Sequence, residues 1–173
     1  MPETAPAGLW CAPPEDLSLG SDEVHVWRAA LDRPAALIES LWASLSADER
    51  ARAARFHFRK DRDHYVVARG VLRMILARYL NAEPGALRFR YNSYGKPALA
   101  VGDGGQPVRF NLSHSGGLAL YAFTASGREL GIDVEGVRPD FASDEVAGRF
   151  FSSREIEELR AQAPEDRADA FFN

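Results

Sequence analysis

The sequence predicts an α+β fold in which an antiparallel sheet packs on one long helix. Segments that alternate or are rich in β-branched residues are mixed with segments of helical periodicity, without strict strand-helix-strand alternation. The chain has 173 residues, of which 46% are hydrophobic and 27% charged. These values are typical of one soluble globular domain or of two small halves packed together.

The first predicted elements are one strand and two helices. EVHVWRAAL (23–31) alternates and is rich in valine, which predicts a strand. Pro34 suits a first helical turn, so AALIESLWASL (35–45) is predicted to be helical. Ser-Ala-Asp-Glu (46–49) forms a capping box, which predicts a new helix that continues through ARAARFHF (51–58).

A long helix and several short strands follow. Apolar residues at three- and four-residue spacing predict a helix over 61–80. ALRFRY (86–91) and VRFNLS (108–113) are predicted strands, and NSYGKP (92–97) is a predicted turn.

The remaining segment is predicted to be a strand pair followed by helices. LALYAFTA (118–125) and ELGIDVEGV (129–137) have the pattern of an antiparallel pair. A second capping box, at Ser152 and Glu155, predicts a helix, and Pro164 is expected to open a further one.

Charge is segregated along the chain. Residues 50–78 contain nine Lys and Arg against two Asp, whereas residues 129–169 contain twelve acidic residues against five Arg. This asymmetry predicts an anion site in the first half and a cation site in the second, and the net charge of −4 argues weakly against general nucleic-acid binding.

Cys11 is the single cysteine, which excludes an intrachain disulfide and predicts a reducing compartment such as the cytoplasm. The sequence shows neither a signal-peptide pattern nor an apolar stretch of membrane length.

Asp133 and Glu135 are the candidate metal ligands. If they lie on a strand, residues two apart share a face, and two neighbouring carboxylates repel unless a cation or donors lie between them. Mg²⁺ suits such a pair because it binds few carboxylates and keeps positions for water and phosphate oxygens. A solvated strand face is the commoner explanation of a D-x-E pattern, but Gly131 and Gly136 would let a ligand approach closely.

Two further segments have groups that suit phosphate. In FNLSHS (110–115), amide, hydroxyl and imidazole groups precede a glycine-rich turn, so they either hold phosphate oxygens or cap the local backbone. In YGKP (94–97), Lys96 lies at a rigid turn and is either a phosphate contact or an ordinary exposed lysine.

A third candidate phosphate site is a group of arginines before the long helix. Arg52, Arg55 and Arg59 are three and four residues apart, which predicts one helical face. Such a face either binds a terminal phosphate or is simply solvated.

Taken in order, these motifs resemble the 4′-phosphopantetheinyl transferase superfamily of the surfactin-synthetase-activating (Sfp) type. The resemblance covers residues from about 46 to 172, with basic residues before R-F, then a D-R helix, Y-G-K-P, F-N-L-S-H-S and G-I-D-V-E. It implies a 4′-phosphopantetheinyl transferase-like fold of two pseudo-symmetric α/β halves. The expected organisation is a loose segment (1–20), an N-terminal half (21–110) and an incomplete C-terminal half (111–173).

The resemblance also implies an activity and a set of site residues. Enzymes of this family transfer the phosphopantetheinyl arm of coenzyme A to a serine of an apo acyl or peptidyl carrier protein and release 3′,5′-ADP. The implied catalytic and metal-binding residues are Asp133 and Glu135, as Mg²⁺ ligands. The implied coenzyme A-binding residues are Arg52, His64, Tyr94, Gly95, Lys96, Pro97, Asn111, Ser113 and His114.

One departure from the family pattern concerns its W-x-x-K-E-A motif, which supplies a further glutamate and a lysine. The sequence ends at Asn173, about where this motif would begin. We therefore expect a truncated form that is inactive or weak alone, or one that needs a second chain to supply the missing part. The alternatives are a non-catalytic module that binds coenzyme A or a carrier protein, and an unrelated Mg²⁺-dependent phosphoesterase.

Overall fold

The strands of the computed structural model form two antiparallel sheets, in agreement with the predicted α+β class. The structure describes residues 10–93, 95–100, 108–125, 127–136 and 144–171. The chain divides into two compact units, residues 1–134 and residues 135–173.

The larger sheet has three strands in the order β1-β5-β4. These are β1 (His25–Ala30), β5 (Leu118–Thr124) and β4 (Arg109–Ser115). Both pairings of the central strand are antiparallel. The smaller sheet pairs β2 (Phe89–Tyr91) with β3 (Pro97–Leu99) around the YGKP turn.

The predicted pairing of 118–125 with 129–137 is wrong. The central strand β5 already pairs with β1 on one edge and with β4 on the other, so it has no edge left for a third partner. Residues 128–136 have no regular secondary structure, and Val137 lies outside the described residues. The predicted alternation of exposure nevertheless holds, because Leu130, Ile132 and Val134 are half-buried between exposed neighbours.

The described part of the first unit contains the α-helices α1 (Ala35–Ser44), α2 (Ala47–Ala53) and α3 (Arg59–Leu80). The predicted capping box of α2 is confirmed, since the Ser46 amide donates to Glu49 Oε2 at 3.0 Å. The prediction that this helix continues through Phe58 is wrong, because it ends at Ala53. Short i to i−3 hydrogen bonds follow, with Phe56 N donating to Ala53 O at 3.3 Å, and they turn the chain into α3.

The strand predicted over 86–91 is shorter in the structure. Pro84–Ala86 form a 3₁₀ turn, with its fixed-φ proline at the start, and strand pairing begins at Phe89. Asn81, in the left-handed region with φ 47°, ends α3 immediately before this turn.

A single hydrophobic cluster joins α1, α3 and β5 in the first unit. Its fully or nearly fully buried members include Leu41, Leu45, Val66, Leu72, Leu76, Tyr121 and Phe123. The Tyr121 hydroxyl donates to Ala68 O at 3.1 Å, and the Phe123 ring lies 5.2 Å from that of Tyr79. These contacts fix the central strand against the middle and the end of α3.

The lead-in before β1 contacts both the sheet and the long helix. The Arg28 guanidinium lies 4.8 Å from the centre of the Trp10 ring, and Arg78 Nη2 donates to Glu15 O at 3.1 Å and to Pro14 O. Residues 10–15 are therefore attached to the first unit.

The described residues 144–171 of the second unit include three helices. These are α4 (Asp144–Phe150), α5 (Ser153–Arg160) and α6 (Arg167–Phe171). The predicted capping box at the start of α5 is confirmed, with the Ser152 amide donating to Glu155 Oε2 at 2.7 Å. The Phe151 and Phe171 rings lie 4.9 Å apart, and Ala147 and Leu159 are buried. Within the described ranges of both units, every helix is too short or too polar to cross a membrane.

Gly70 sets how closely α1 and α3 approach each other. A Cβ at Gly70 would lie 2.6 Å from Leu41 Cβ, which is inside van der Waals contact. Helix propensity favours alanine over glycine by about 1 kcal/mol, but overpacking costs about 1–3 kcal/mol. We expect Gly70→Ala to lower the free energy of unfolding, measured by urea denaturation.

A matched control and a double variant test this cause. Gly148 lies within α4 with open space where its Cβ would be, so Gly148→Ala is expected to cause no destabilisation. Adding Leu41→Gly to Gly70→Ala should give a smaller loss than the sum of the two single losses, because glycine removes the Leu41 Cβ with which the new methyl group clashes. Additive losses would contradict the close-approach explanation.

Candidate functional site

Residues 130–134, which include Asp133, are hydrogen-bonded to side chains of β4. We call them the 130–134 segment. The side chains of Lys96, Asn111 and Ser113 make its hydrogen bonds to the YGKP turn and to β4. The sequence had instead predicted backbone pairing of this segment with β5. The residues predicted as a site therefore also organise the segment that carries the candidate metal ligand.

Lys96 and Asn111 meet at one carbonyl of this segment. Lys96 Nζ and Asn111 Nδ2 each donate to Leu130 O, and both distances are 3.1 Å. A carbonyl oxygen has two lone pairs, so both donors are accommodated. The YGKP turn and the FNLSHS strand are thereby joined at the start of the segment.

Ser113 makes two hydrogen bonds to the other end of the segment. Its hydroxyl donates to Asp133 Oδ1 at 2.7 Å and accepts from the Val134 amide at 3.2 Å. Asp133 is exposed, and its carboxylate is oriented by this hydroxyl. Strand alternation puts Ser113 and Asn111 on one face of β4, so the two side chains bind the segment at two points.

His114 lies on the opposite face of β4 from Asn111 and Ser113. It pairs across the ladder with Ala119 and is exposed. Successive strand residues point to opposite faces, so the structure separates His114 from the side chains that bind the segment.

The YGKP turn adjoins β4. Gly95 has φ 79°, a conformation that favours glycine, and its amide donates to Asn92 O at 2.9 Å. A cavity of about 270 Å³ contacts both motifs and is lined by Gly95, Lys96, Pro97, Phe110, Asn111 and Leu112. Tyr94 lies outside the described residues.

Arg52 lies at a separate, larger cavity beside the same turn. This cavity has a volume of about 710 Å³ and is lined by Asp48, Ala51, Arg52, Arg55, Phe56, Tyr65, Tyr91 and Gly95. The Arg52 guanidinium lies 5.7 Å from the centre of the Tyr65 ring. Burial raises the pKa of Tyr65 to about 12, so its phenol is neutral at physiological pH.

The prediction that Arg52, Arg55 and Arg59 share one helical face is wrong. Arg52 is in α2, Arg55 follows its end, and Arg59 is the first residue of α3. The turn between the helices brings Arg52 and Arg55 to the large cavity, whereas Arg59 lines a different one.

His64 belongs to that other cavity, of about 410 Å³, together with Arg59 and Lys60. Its Nε2 is hydrogen-bonded to Asp32 Oδ1 at 2.8 Å, and this bond lowers the pKa of Asp32. Gly117, with φ 85°, packs closely here, since a Cβ would lie 3.0 Å from Asp32 Oδ2. The same Cβ would lie 3.9 Å from His64 Cε1, so His64 lies beside the β4-β5 turn, and it does not line the cavity of Arg52.

A buried charge network beside the large cavity was not predicted from the sequence. Glu49 Oε1 accepts from Arg69 at 2.6 Å and Glu49 Oε2 accepts from Arg73 at 2.7 Å. Glu49 and Arg73 are fully or almost fully buried, and Arg69 is 5% exposed. Arg69 Nη2 also donates to the Tyr91 hydroxyl at 2.9 Å, which links the network to the cavity wall.

The signal for this network was present in the sequence. Arg69 and Arg73 are four residues apart on the apolar face of a helix, where an arginine needs a partner. Burial by itself would raise the pKa of Glu49, but the charges of the two arginines and the hydrogen bonds from Ser46 and Arg69 outweigh it, so the pKa lies below its ordinary value. Two of the nine basic residues in 50–78 therefore form ion pairs in the core and are not available to bind an anion at the surface.

The donor chemistry fits Mg²⁺, although the residues the structure describes contain no cluster of three or more His, Cys, Asp or Glu side chains that could hold a metal ion. Mg²⁺ binds through one or two carboxylates, completed by water and phosphate oxygens. Asp133 meets this requirement as an exposed carboxylate held by a hydroxyl.

Comparison with known families gives a match over most of the first unit. Residues 25–126 match the family described as "4′-phosphopantetheinyl transferase, N-terminal". The matched region includes β1 to β5 and hence the YGKP turn and the FNLSHS strand.

Individual relatives extend the similarity over more of the chain. It is 45% identical over 163 residues to 4′-phosphopantetheinyl transferase HetI of Nostoc sp., covering 94% of this chain and 68% of the relative. It is 34% identical over 148 residues to a putative 4′-phosphopantetheinyl transferase of Synechocystis sp., covering 86% and 58%. It is 29% identical over 153 residues to 4′-phosphopantetheinyl transferase Sfp of Bacillus subtilis, covering 87% and 65%. The chain thus spans between 58% and 68% of the length of these relatives.

Proposed function

Because this chain belongs to the 4′-phosphopantetheinyl transferase superfamily, we propose that it transfers the 4′-phosphopantetheine arm of coenzyme A to a serine of an apo acyl or peptidyl carrier protein. The proposal rests mainly on the hydrogen bonds that join the YGKP turn and the FNLSHS strand to the 130–134 segment. Lys96 of the YGKP turn and Asn111 of β4 both bind Leu130, while Ser113 binds Asp133.

The reaction divides between the carrier protein and this chain. The serine oxygen of the carrier forms a bond to the phosphorus next to the pantetheine, the pyrophosphate P–O bond breaks, and 3′,5′-ADP leaves while the serine proton passes to a base. Asp133 and Glu135 are the proposed ligands of Mg²⁺, which supplies charge neutralisation at the pyrophosphate when bound.

The basic and polar side chains have the proposed role of holding the nucleotide. Arg52, which lines the 710 Å³ cavity, is assigned to the terminal phosphate, for which a guanidinium is well suited. The YGKP turn is assigned to the adenine and phosphate site, and Asn111 to holding the 130–134 segment beside it. His114, on the opposite face of β4, is assigned to a phosphate of coenzyme A. His64 is also assigned to coenzyme A binding, at the 410 Å³ cavity that it lines with Arg59 and Lys60.

The family resemblance extends the proposal to the fold and the setting of the reaction. We assign the chain to the N-terminal half and the opening of a pseudo-symmetric second half, and the reaction to the cytoplasm, where a single cysteine is compatible with reducing conditions. A second chain that carries a W-x-x-K-E-A motif is the proposed partner if this chain is inactive alone.

The transfer assay tests this function directly. The chain is incubated with coenzyme A, Mg²⁺ and an apo carrier protein, and the carrier is analysed by mass spectrometry. We expect a mass gain equal to phosphopantetheine on the carrier serine, either with this chain alone or after addition of a polypeptide that carries W-x-x-K-E-A. The full-length Nostoc relative is the positive control.

Other results would overturn the proposal in specific ways. Binding of coenzyme A without any mass gain in either mixture would indicate a non-catalytic module. Release of phosphate from simple esters without a carrier protein would indicate a phosphoesterase.

A further inference from the structure

Ser113 has a second interpretation that the structure favours over direct phosphate contact. Its hydroxyl donates to Asp133 Oδ1 at 2.7 Å and accepts from the Val134 amide at 3.2 Å. A hydroxyl has one hydrogen, so while that hydrogen lies on Asp133 it is not available to a phosphate oxygen.

The surrounding contacts support a positioning role. Without strand pairing, the 130–134 segment is held to β4 and the YGKP turn through Leu130 at one end and through Asp133 and Val134 at the other. Ser113 is the side chain that makes both bonds at the second end. Because Asp133 is exposed, its carboxylate would otherwise sample several rotamers in water.

We propose that Ser113 is a positioning residue that fixes the Asp133 carboxylate and the adjoining backbone in the orientation for metal binding. The inference rests on the proposed function, since it assumes that Asp133 is a metal ligand. Groups that orient metal ligands by hydrogen bonding are established determinants of metal affinity, and their loss costs about 10–100-fold.

Three serine variants separate positioning from phosphate contact. Ser113→Ala removes both hydrogen bonds, and Ser113→Thr keeps a hydroxyl. Ser44→Ala is the matched control, because the Ser44 hydroxyl also makes a short hydrogen bond, of 2.6 Å to Leu41 O, but lies in α1.

The first measurement needs neither metal nor coenzyme A. Amide hydrogen exchange by NMR reports the Val134 amide, which we expect to exchange at least about tenfold faster in Ser113→Ala than in the parent. Ser113→Thr and Ser44→Ala should leave its exchange within about threefold of the parent. An unchanged Val134 exchange rate in Ser113→Ala would overturn the inference.

The second measurement is Mn²⁺ affinity, followed by paramagnetic broadening of the Asp133 resonances, because Mn²⁺ prefers the same oxygen ligands as Mg²⁺. We expect about tenfold weaker Mn²⁺ binding for Ser113→Ala and recovery in Ser113→Thr. Unchanged Mn²⁺ affinity with weaker coenzyme A binding would overturn the inference and make Ser113 a phosphate contact. Absence of Mn²⁺ binding by the parent chain would overturn the proposed metal role itself.

Discussion

Replacement of Glu49 by glutamine is expected to destabilise the first unit by about 3–5 kcal/mol, because it leaves two buried guanidinium groups without their counter-charge. Glu49 accepts from both Arg69 and Arg73, and its side chain is fully buried. The measurement is the free energy of unfolding from urea denaturation at neutral pH.

An exposed glutamate provides the control for this substitution. Glu39 lies on the solvent side of α1, and Glu39→Gln makes the same chemical change without burial. We expect its effect to be within about 0.5 kcal/mol of zero. A loss of similar size in both variants would contradict the assigned importance of the buried network.

The parent and Glu49→Gln are also expected to differ in how their free energies of unfolding depend on pH. Glu49 has a lowered pKa in the folded protein, so its stabilising contribution is fully present above its ordinary pKa of 4.5 and is lost as the pH falls through the lowered value. The parent should therefore lose its advantage over Glu49→Gln in acid. Unfolding curves collected between neutral and strongly acidic pH should converge, and a constant difference across that range would contradict the linkage.

Replacement of Asp133 by asparagine is expected to reduce phosphopantetheine transfer by a factor of about 100 or more, since it removes a negative ligand from the proposed metal site. An asparagine oxygen still accepts the hydrogen bond from Ser113, so the 130–134 segment should stay in place. The measurement is the initial rate of carrier modification by mass spectrometry, in the mixture in which the parent is active.

The control for this variant is an aspartate outside the site. Asp16 is exposed in the lead-in segment, and Asp16→Asn should transfer at the parent rate. A transfer rate for Asp133→Asn within about threefold of the parent rate would show that Asp133 is not a catalytic metal ligand. Loss of such a ligand should remove several kcal/mol of transition-state stabilisation.

The sequence predicted the elements that local signals determine. Helical periodicity located α3, and the two capping boxes located the starts of α2 and α5, because each depends on residues only three or four apart. The end of α2 was misplaced since the turn after Ala53 depends on how α2 and α3 pack.

The errors at the candidate site have a non-local origin. The pattern of 129–137 is that of a strand, yet both edges of β5 are occupied, one by the preceding strand β4 and the other by β1, which is distant in sequence. The Glu49 network joins residues 20 and 24 positions apart, which no short window includes. The contacts of Lys96 and Asn111 with Leu130 likewise depend on the placement of the whole segment.

The buried carboxylate of Glu49 constrains how this family member can diverge. One side chain caps α2 through the Ser46 amide and neutralises two arginines of α3. A lineage that lost the glutamate first would carry two uncompensated cations in its interior, and one that lost both arginines first would carry a solitary anion. These three positions should therefore be inherited as a set and exchanged together for apolar residues, so aligned descendants should show correlated replacement at them.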